Sequence, residues 1–111
     1  MSKSATPHPE LLGLIEMDQA GTILYSELEQ AGTSADLNGR NFYAEIAPFK
    51  NIESLHYLID AFTSGREQTK CFDFTCDFDA ARVPMRVLLA RVCERSDKTR
   101  TKSLLVHIRR L

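Results

Sequence analysis

The chain has 111 residues, room for one compact domain of the usual roughly 100–150 residues, which excludes a multidomain enzyme. Fourteen Lys and Arg against fifteen Asp and Glu give a formal net charge of −1 without strong clustering of either sign, so nucleic acid is not the expected partner. Hydrophobic residues make up 43% and charged residues 26%, as in folded globular domains and unlike disordered chains.

No segment is expected to enter a membrane or to direct secretion. The longest apolar runs, such as Leu11–Ile15 and Val87–Ala90, fall far short of the roughly 20 residues that span a bilayer. Residues 1–10 contain no hydrophobic stretch of the kind a secretory signal needs. We predict a flexible N-terminal tail over 1–10, followed by a single domain over 11–111.

The three cysteines, Cys71, Cys76 and Cys93, are odd in number and lack CxxC spacing. This pattern argues against a disulfide framework and a zinc site, and it favours a reduced, cytoplasmic protein. Cys76 alternates with phenylalanines and is predicted to be a small, buried and unreactive side chain. Nothing in the sequence near Cys71 or Cys93 indicates a reactive thiol.

The first predicted elements are two strands joined by a tight turn. Residues 12–18 and 22–26 flank an Asp-x-x-Gly turn, in which the glycine supplies the positive φ that a hairpin needs. Residues 27–38 are small and polar without a sustained period, so loops and short helical turns are expected. A short helix is predicted over 41–46, ended by Pro48.

The second half of the chain changes from helical to strand periodicity. In residues 51–64 apolar side chains recur at i, i+3, i+4 and i+7, and Gly65 is a suitable stop, which predicts one long helix. Residues 70–79 alternate apolar and polar side chains, which predicts a half-exposed antiparallel strand. Further strands are predicted over 83–94 and 101–110.

Acidic side chains line the polar face of the strand predicted at 70–79. Alternation spreads these carboxylates along the strand, whereas a Ca²⁺ site needs ligands that converge, so no cation site is predicted. We expect a solvated face on which Asp73, Asp77 and Asp79 lie opposite Arg82, Arg86 and Arg91.

Two strands, a helical middle and three strands predict an α+β domain with a single core. Its five-stranded antiparallel sheet would carry the helices, chiefly the one over 51–64, on one face. Neither a Ser-His-Asp pattern, nor a phosphate-binding loop, nor a metal-spaced histidine pair stands out. No enzyme activity and no metal are therefore predicted.

This order of elements resembles the PAS domain, and four stretches resemble its photoactive yellow protein family. Residues 39–48 are similar to the family's Gly-Lys-Asn-Phe-Phe stretch that ends in Val-Ala-Pro, and residues 62–65 to its Val-Ala-Ser-Gly helix end. Residues 71–78 resemble the Phe-Glu-Tyr-Thr-Phe-Asp-Tyr strand, and residues 106–111 the closing Val-Phe-Val-Lys-Arg-Val. The resemblance implies a PAS-like fold and a signalling role.

The family's chromophore is a p-coumaroyl group, linked as a thioester to a cysteine directly after Ala-Pro. Phe49 occupies that position, so the resemblance implies that no covalent chromophore is present. The Glu and Tyr that hydrogen-bond the chromophore in the family fall at Gln30 and Ser26, with Tyr25 one residue away and facing the other side of its strand. These residues and Phe42 are the candidates for a ligand pocket.

Several roles stay open within that pocket. Phe49 either fills the space of the chromophore, which we favour because an empty apolar cavity costs stability, or roofs a cavity for a small aromatic molecule. Gln30 is either a buried hydrogen-bonding group for such a ligand or an exposed loop amide. The rings of Phe72, Phe74 and Phe78 either line a pocket or form simple sheet core, which we favour.

Two other cofactor classes of PAS domains can be compared with the sequence. Flavin-binding modules need an Asn-Cys-Arg-Phe stretch, and no cysteine precedes Cys71. Haem-binding PAS domains take a histidine from the long helix, where His56 lies. His56 is about 100° from the apolar stripe, which favours a side chain at the edge or in solvent. No cofactor is predicted.

We expect a non-enzymatic sensor or signalling module, in which a small ligand or a partner protein stabilises one of two arrangements. The alternative is a protein interaction or dimerisation domain with a filled core and no ligand. A homodimer is expected because the tail is shorter than the family's and would leave an apolar sheet face open, near the front hairpin. A small hydrolase or isomerase is the least favoured interpretation.

Overall fold

A computed structural model describes residues 13–28, 37–47, 49–79 and 81–111. The predicted tail and Gln30 lie outside these residues. The elements follow the predicted order and are β1 (Gly13–Met17), β2 (Ile23–Leu28), a π-helix (Phe42–Ile46), α1 (Ile52–Ser64), β3 (Thr69–Asp77), β4 (Arg82–Cys93) and β5 (Thr101–Arg110). All neighbouring strands are antiparallel, in the order β2-β1-β5-β4-β3, which confirms the predicted α+β fold.

The turn between β1 and β2 is held by its aspartate and its glycine. The backbone N–H groups of Ala20 and Thr22 each donate to Asp18 Oδ1 at 2.9 Å. Gly21 has a φ of +93°, as the Asp-x-x-Gly pattern predicts. β2 continues to Leu28, so the loop predicted to begin at residue 27 was wrong, because pairing with β1 extends the strand.

The short helix predicted over 41–46 is a single π-helical turn. The Asn41 side chain accepts from the N–H groups of Tyr43 and Ala44, each at 3.0 Å, and thereby caps the turn. The N–H of Ala47 donates to the Phe42 carbonyl at 2.9 Å, an i→i+5 bond that defines the wider π geometry.

The long helix α1 confirms the predicted apolar stripe. Leu55, Ile59 and Phe62 are buried against the sheet. Before its first turn, Asn51 binds β3 with both ends of its amide: Nδ2 donates to the Thr75 carbonyl at 2.8 Å, and Oδ1 accepts from the Asp77 N–H at 2.9 Å. The start of the helix is therefore fixed to the end of β3.

Strand alternation gives the sheet two faces, which we call the core face and the outer face. The core face packs against α1 and carries the buried side chains of the strands, which include Ile15, Met17, Ile23, Cys76, Met85, Val87, Leu89, Leu104, Val106 and Ile108. In β3, Phe72 and Phe74 are half-buried on this face, whereas Asp73 and Thr75 are exposed, as the alternation predicts.

The polar-face prediction is confirmed for two arginines and wrong for the third. Arg86 Nε lies 3.0 Å from Asp73 Oδ1, and Arg82 is in register with Asp77. Arg91 follows Val87 and Leu89 at intervals of two residues, so it lies on the core face instead.

Within the described part of the chain, no helix is long and apolar enough to cross a membrane.

Candidate functional site

Two of the predicted pocket residues, Phe42 and Phe49, lie in the core between the helices and the sheet. Phe49 is only 4% exposed, and its ring centroid lies 6.0 Å from that of Phe78 and 6.3 Å from that of Phe74. The Phe42 ring is fully buried and makes an edge contact with Tyr43 at 5.3 Å. The residue that the resemblance aligns with the family's attachment cysteine thus contributes a packed ring to the core.

Ser26 and Tyr25 are separated by the alternation of β2. Ser26 pairs with buried Ile15, which puts it on the core face, where it is half-buried. Tyr25 pairs with Glu16 on the outer face and is 48% exposed. The structure therefore brings Ser26 to the side of Phe42 and Phe49, and it places Tyr25 on the opposite side of the sheet.

His56 lies at the edge of α1, as its distance from the apolar stripe predicts. Its imidazole stacks on Tyr43, with ring centroids 3.6 Å apart and planes 9° apart. The imidazole Nε2 also lies 3.4 Å from Asp60 Oδ2, one helical turn later. Burial, together with the nearby Asp60 carboxylate, raises the pKa of the Tyr43 phenol, so this ring stays neutral. The stack joins the π-helix to α1.

The thiols differ in accessibility. Burial raises the pKa of the Cys76 thiol to about 12, so the group stays protonated and unreactive at neutral pH. Cys71 is exposed, and Cys93 is half-buried with its Sγ 3.9 Å from Gln68 Oε1. Among the described residues, no three His, Cys, Asp or Glu side chains are grouped so as to hold a metal ion.

Arg91, which was predicted to lie on the polar face of the sheet, instead connects β4 to the end of α1. Its guanidinium carbon lies 5.0 Å from the centre of the Phe62 ring. The guanidinium donates at 2.7–3.1 Å to the Thr101 hydroxyl and to the backbone carbonyls of Phe62, Thr63, Gly65 and Glu67. The signal that could have found it was the period-two series of Val87, Leu89 and Arg91.

The outer face of the sheet carries an apolar area that we call the outer-face patch. Strand register places its members in neighbouring rows, and each is exposed or half-buried: Leu14, Tyr25, Leu88, Ala90 and Leu105. Beside the patch, the Ser103 hydroxyl is fully buried and donates to Glu16 Oε2 at 2.6 Å.

Comparison with known proteins links this geometry to solved structures. The photoactive yellow protein domain of the sensor histidine kinase Ppr from Rhodospirillum centenum is 25% identical, with a TM-score of 0.59, and the match covers 92% of this chain and 88% of that one. The PAS domain of an HTR-like protein from Haloarcula marismortui is 15% identical, with a TM-score of 0.56 over 89% and 80% of the two chains. No family model matches the chain, and no curated protein is similar to it in sequence.

Proposed function

For this chain, a PAS-like domain similar in structure to a photoactive yellow protein domain, we propose a non-enzymatic signalling role that needs no covalent chromophore. Phe49 is the observation that carries the proposal. Its ring stands at the position where the family has the attachment cysteine, and it packs among Phe74 and Phe78. A phenyl ring offers no nucleophile for a thioester, and the ring itself takes up core space.

The buried thiol on β3 supports the same proposal. A thioester forms from a thiolate, whereas Cys76 is buried and its pKa is raised to about 12. Any signal would then enter without covalent attachment, through a small aromatic ligand or through a partner protein. Ser26, Phe42 and Phe49 are the described residues that such a ligand would meet on the core side of the sheet. In the cytoplasm, ligand or partner would act by stabilising one of two arrangements.

The first test is native mass spectrometry of freshly purified protein, with a denatured control. Bound mass that disappears on denaturation would support ligand sensing and would identify the ligand by its mass. A protein without bound mass would overturn ligand sensing and leave signalling through protein contacts.

A second test restores the attachment chemistry. We expect Phe49→Cys to take up activated p-coumarate and to gain a stable visible absorption band, because removal of the ring opens space beside the new thiol. Phe49→Ala is the matched control, since it opens similar space without a thiol and still contains Cys71 and Cys93. Equal bands in both variants would show labelling of other cysteines and would contradict a chromophore-sized space at this position.

A second candidate function is dimerisation, which the outer-face patch favours. Leu88 is 41% exposed and Tyr25 48% exposed on a sheet face that α1 does not cover. Apolar area of this kind is typical of protein contact surfaces. We expect a concentration-dependent dimer that Leu88→Glu weakens. Tyr57→Glu is the control, because Tyr57 is 74% exposed on α1, on the other side of the sheet. A monomer at all concentrations, or equal weakening by both variants, would overturn this candidate.

A further inference from the structure

Beyond the end of α1, positive side chains surround a cavity of about 450 Å³ at the surface. It lies away from the buried rings of Phe42 and Phe49, and it is lined by Gly65, Arg66, Gln68, Arg91, Lys98 and Thr99. An adjoining cavity of about 400 Å³ shares Gln68, Arg91 and Lys98 and adds Cys93, Glu94 and Arg95, so it includes one carboxylate. Among the described residues that line the first cavity, three are cationic and none carries a carboxylate.

The helix end would normally repel an anion, because the last carbonyls of a helix carry partial negative charge. Here the guanidinium of Arg91 donates to the carbonyls of Phe62, Thr63 and Gly65. One full positive charge is therefore fixed against that negative end. The cavity wall formed by the helix end becomes net positive and rigid, since five acceptors hold the guanidinium in place.

The other two cations are available for a ligand. Neither Arg66 nor Lys98 forms an ion pair with any residue that the structure describes. Of the acids adjacent in sequence to the cavity residues, Glu67 pairs with Lys70 and Glu94 with Arg100, each at 3.8 Å, and Asp97 accepts hydrogen bonds from Thr99. Unpaired positive charge thus faces the cavity from α1's end and from the turn before β5.

We propose that this cavity binds a small organic anion through its phosphate or carboxylate oxygens. Guanidinium groups match such oxygens in a bidentate manner, and ammonium groups bind them as point charges. The volume exceeds that of a bare inorganic ion and lies within the roughly 300–1,000 Å³ of small-molecule sites. This site does not depend on the proposed signalling role, and the two can fail separately.

The test is an NMR titration of the ¹⁵N-labelled protein at fixed ionic strength. The probes are ribose 5-phosphate for phosphate, citrate for carboxylate, and sulfate as a bare ion. We expect saturable shifts of the Gly65, Gln68 and Thr99 amides with at least one organic probe. The double variant Arg66→Gln/Lys98→Gln should weaken that binding roughly tenfold and at most about 25-fold, since each exposed contact contributes up to about 1 kcal/mol, or fivefold.

Arg109→Gln is the matched control, because Arg109 is an exposed cation near the far end of β5. It should leave the affinity within about twofold of the wild type, since charges beyond roughly 10 Å are screened. Three outcomes would overturn the site: no saturation with either organic probe, saturation with sulfate alone, or equal weakening by Arg109→Gln and the double variant. Circular dichroism of each variant shows whether the fold is retained.

Discussion

At the scale of single residues, two glycines have similar backbone conformations in different surroundings. Gly21 has a φ of +93° and Gly39 a φ of +87°. A Cβ on Gly21 would lie 2.7 Å from the Tyr43 ring, whereas a Cβ on Gly39 would meet nothing within 4 Å. Alanine variants at these two positions therefore separate the loss of stability caused by a left-handed backbone from the loss caused by a steric clash.

We expect Gly39→Ala to lower the free energy of unfolding by about 1 kcal/mol, the cost of a left-handed backbone. Gly21→Ala should cost about 2–4 kcal/mol, because overpacking against Tyr43 adds to the same backbone cost. Urea unfolding of the two variants measures the difference. Equal losses would mean that the Tyr43 ring moves aside without cost.

The buried thiol of Cys76 makes stability depend on pH in the alkaline range. Its pKa is 9.0 when unperturbed and about 12 in the folded protein, so the unfolded chain loses the proton first. The contribution of the protonated Cys76 thiol to the free energy of unfolding is complete below pH 9 and is lost as the pH rises from 9 towards 12. Relative to Cys76→Ala, the wild type should lose stability as the pH rises from about 9 towards 11. Parallel pH profiles of the two proteins would contradict this.

At the scale of elements, Arg91 determines how α1 is held on the sheet. Its guanidinium donates hydrogen bonds to four backbone carbonyls at and beyond the helix end and to a hydroxyl on β5. A lysine has three donors on one nitrogen and cannot reproduce this fork. The last turn of α1 and the start of β3 therefore depend on a residue near the end of β4.

We expect Arg91→Lys to lower the free energy of unfolding by about 2–4 kcal/mol, because the part-buried carbonyls of Phe62 and Thr63 lose a charged donor. Amide hydrogen exchange should rise over residues 62–68, more than elsewhere in α1. Arg86→Lys is the control, since Arg86 makes a single exposed contact with Asp73, and it should change stability far less. Similar losses in both variants would refute the role of Arg91.

The elements that could be predicted from the sequence are those with a local periodic signal. The stripe of Leu55, Ile59 and Phe62 predicts α1, and the alternation of Phe72 and Phe74 predicts β3. The π-geometry of residues 42–46 could not be predicted, because one i→i+5 bond leaves no periodic trace. The role of Arg91 needs the helix end and the sheet together, so the period-two series of β4 could have indicated its face but not its partners.

At the scale of the molecule, one core joins all five strands to α1 and the π-helix. The resemblance aligns Phe49 with a cysteine of the family, but the sequence could not show that its ring packs against Phe74 and Phe78. Those contacts bring together residues from separate elements. The surface cavity near Arg66 was likewise unpredictable, since its residues come from three places in the chain.

Because Phe49 is part of the common core, we expect Phe49→Ala to lower the free energy of unfolding by about 3–5 kcal/mol. This loss is a large share of the roughly 5–15 kcal/mol by which a typical domain is stable. Phe49→Leu should cost clearly less, since it leaves a smaller cavity. Tyr57→Ala on the exposed side of α1 should stay within about 0.5 kcal/mol of the wild type. Thermal unfolding measures all three, and a small loss for Phe49→Ala would contradict a packed ring.

The two-sided character of β4 has a consequence for how this protein could diverge. Odd-numbered positions such as Val87 and Leu89 serve the core, while even-numbered positions such as Arg86 and Leu88 face outward. Selection for a new partner could therefore replace the even-numbered, outward-facing residues of β4 without disturbing the core. The outward-facing residues of β4 can therefore change to suit a new partner, while the core-facing residues keep the fold stable.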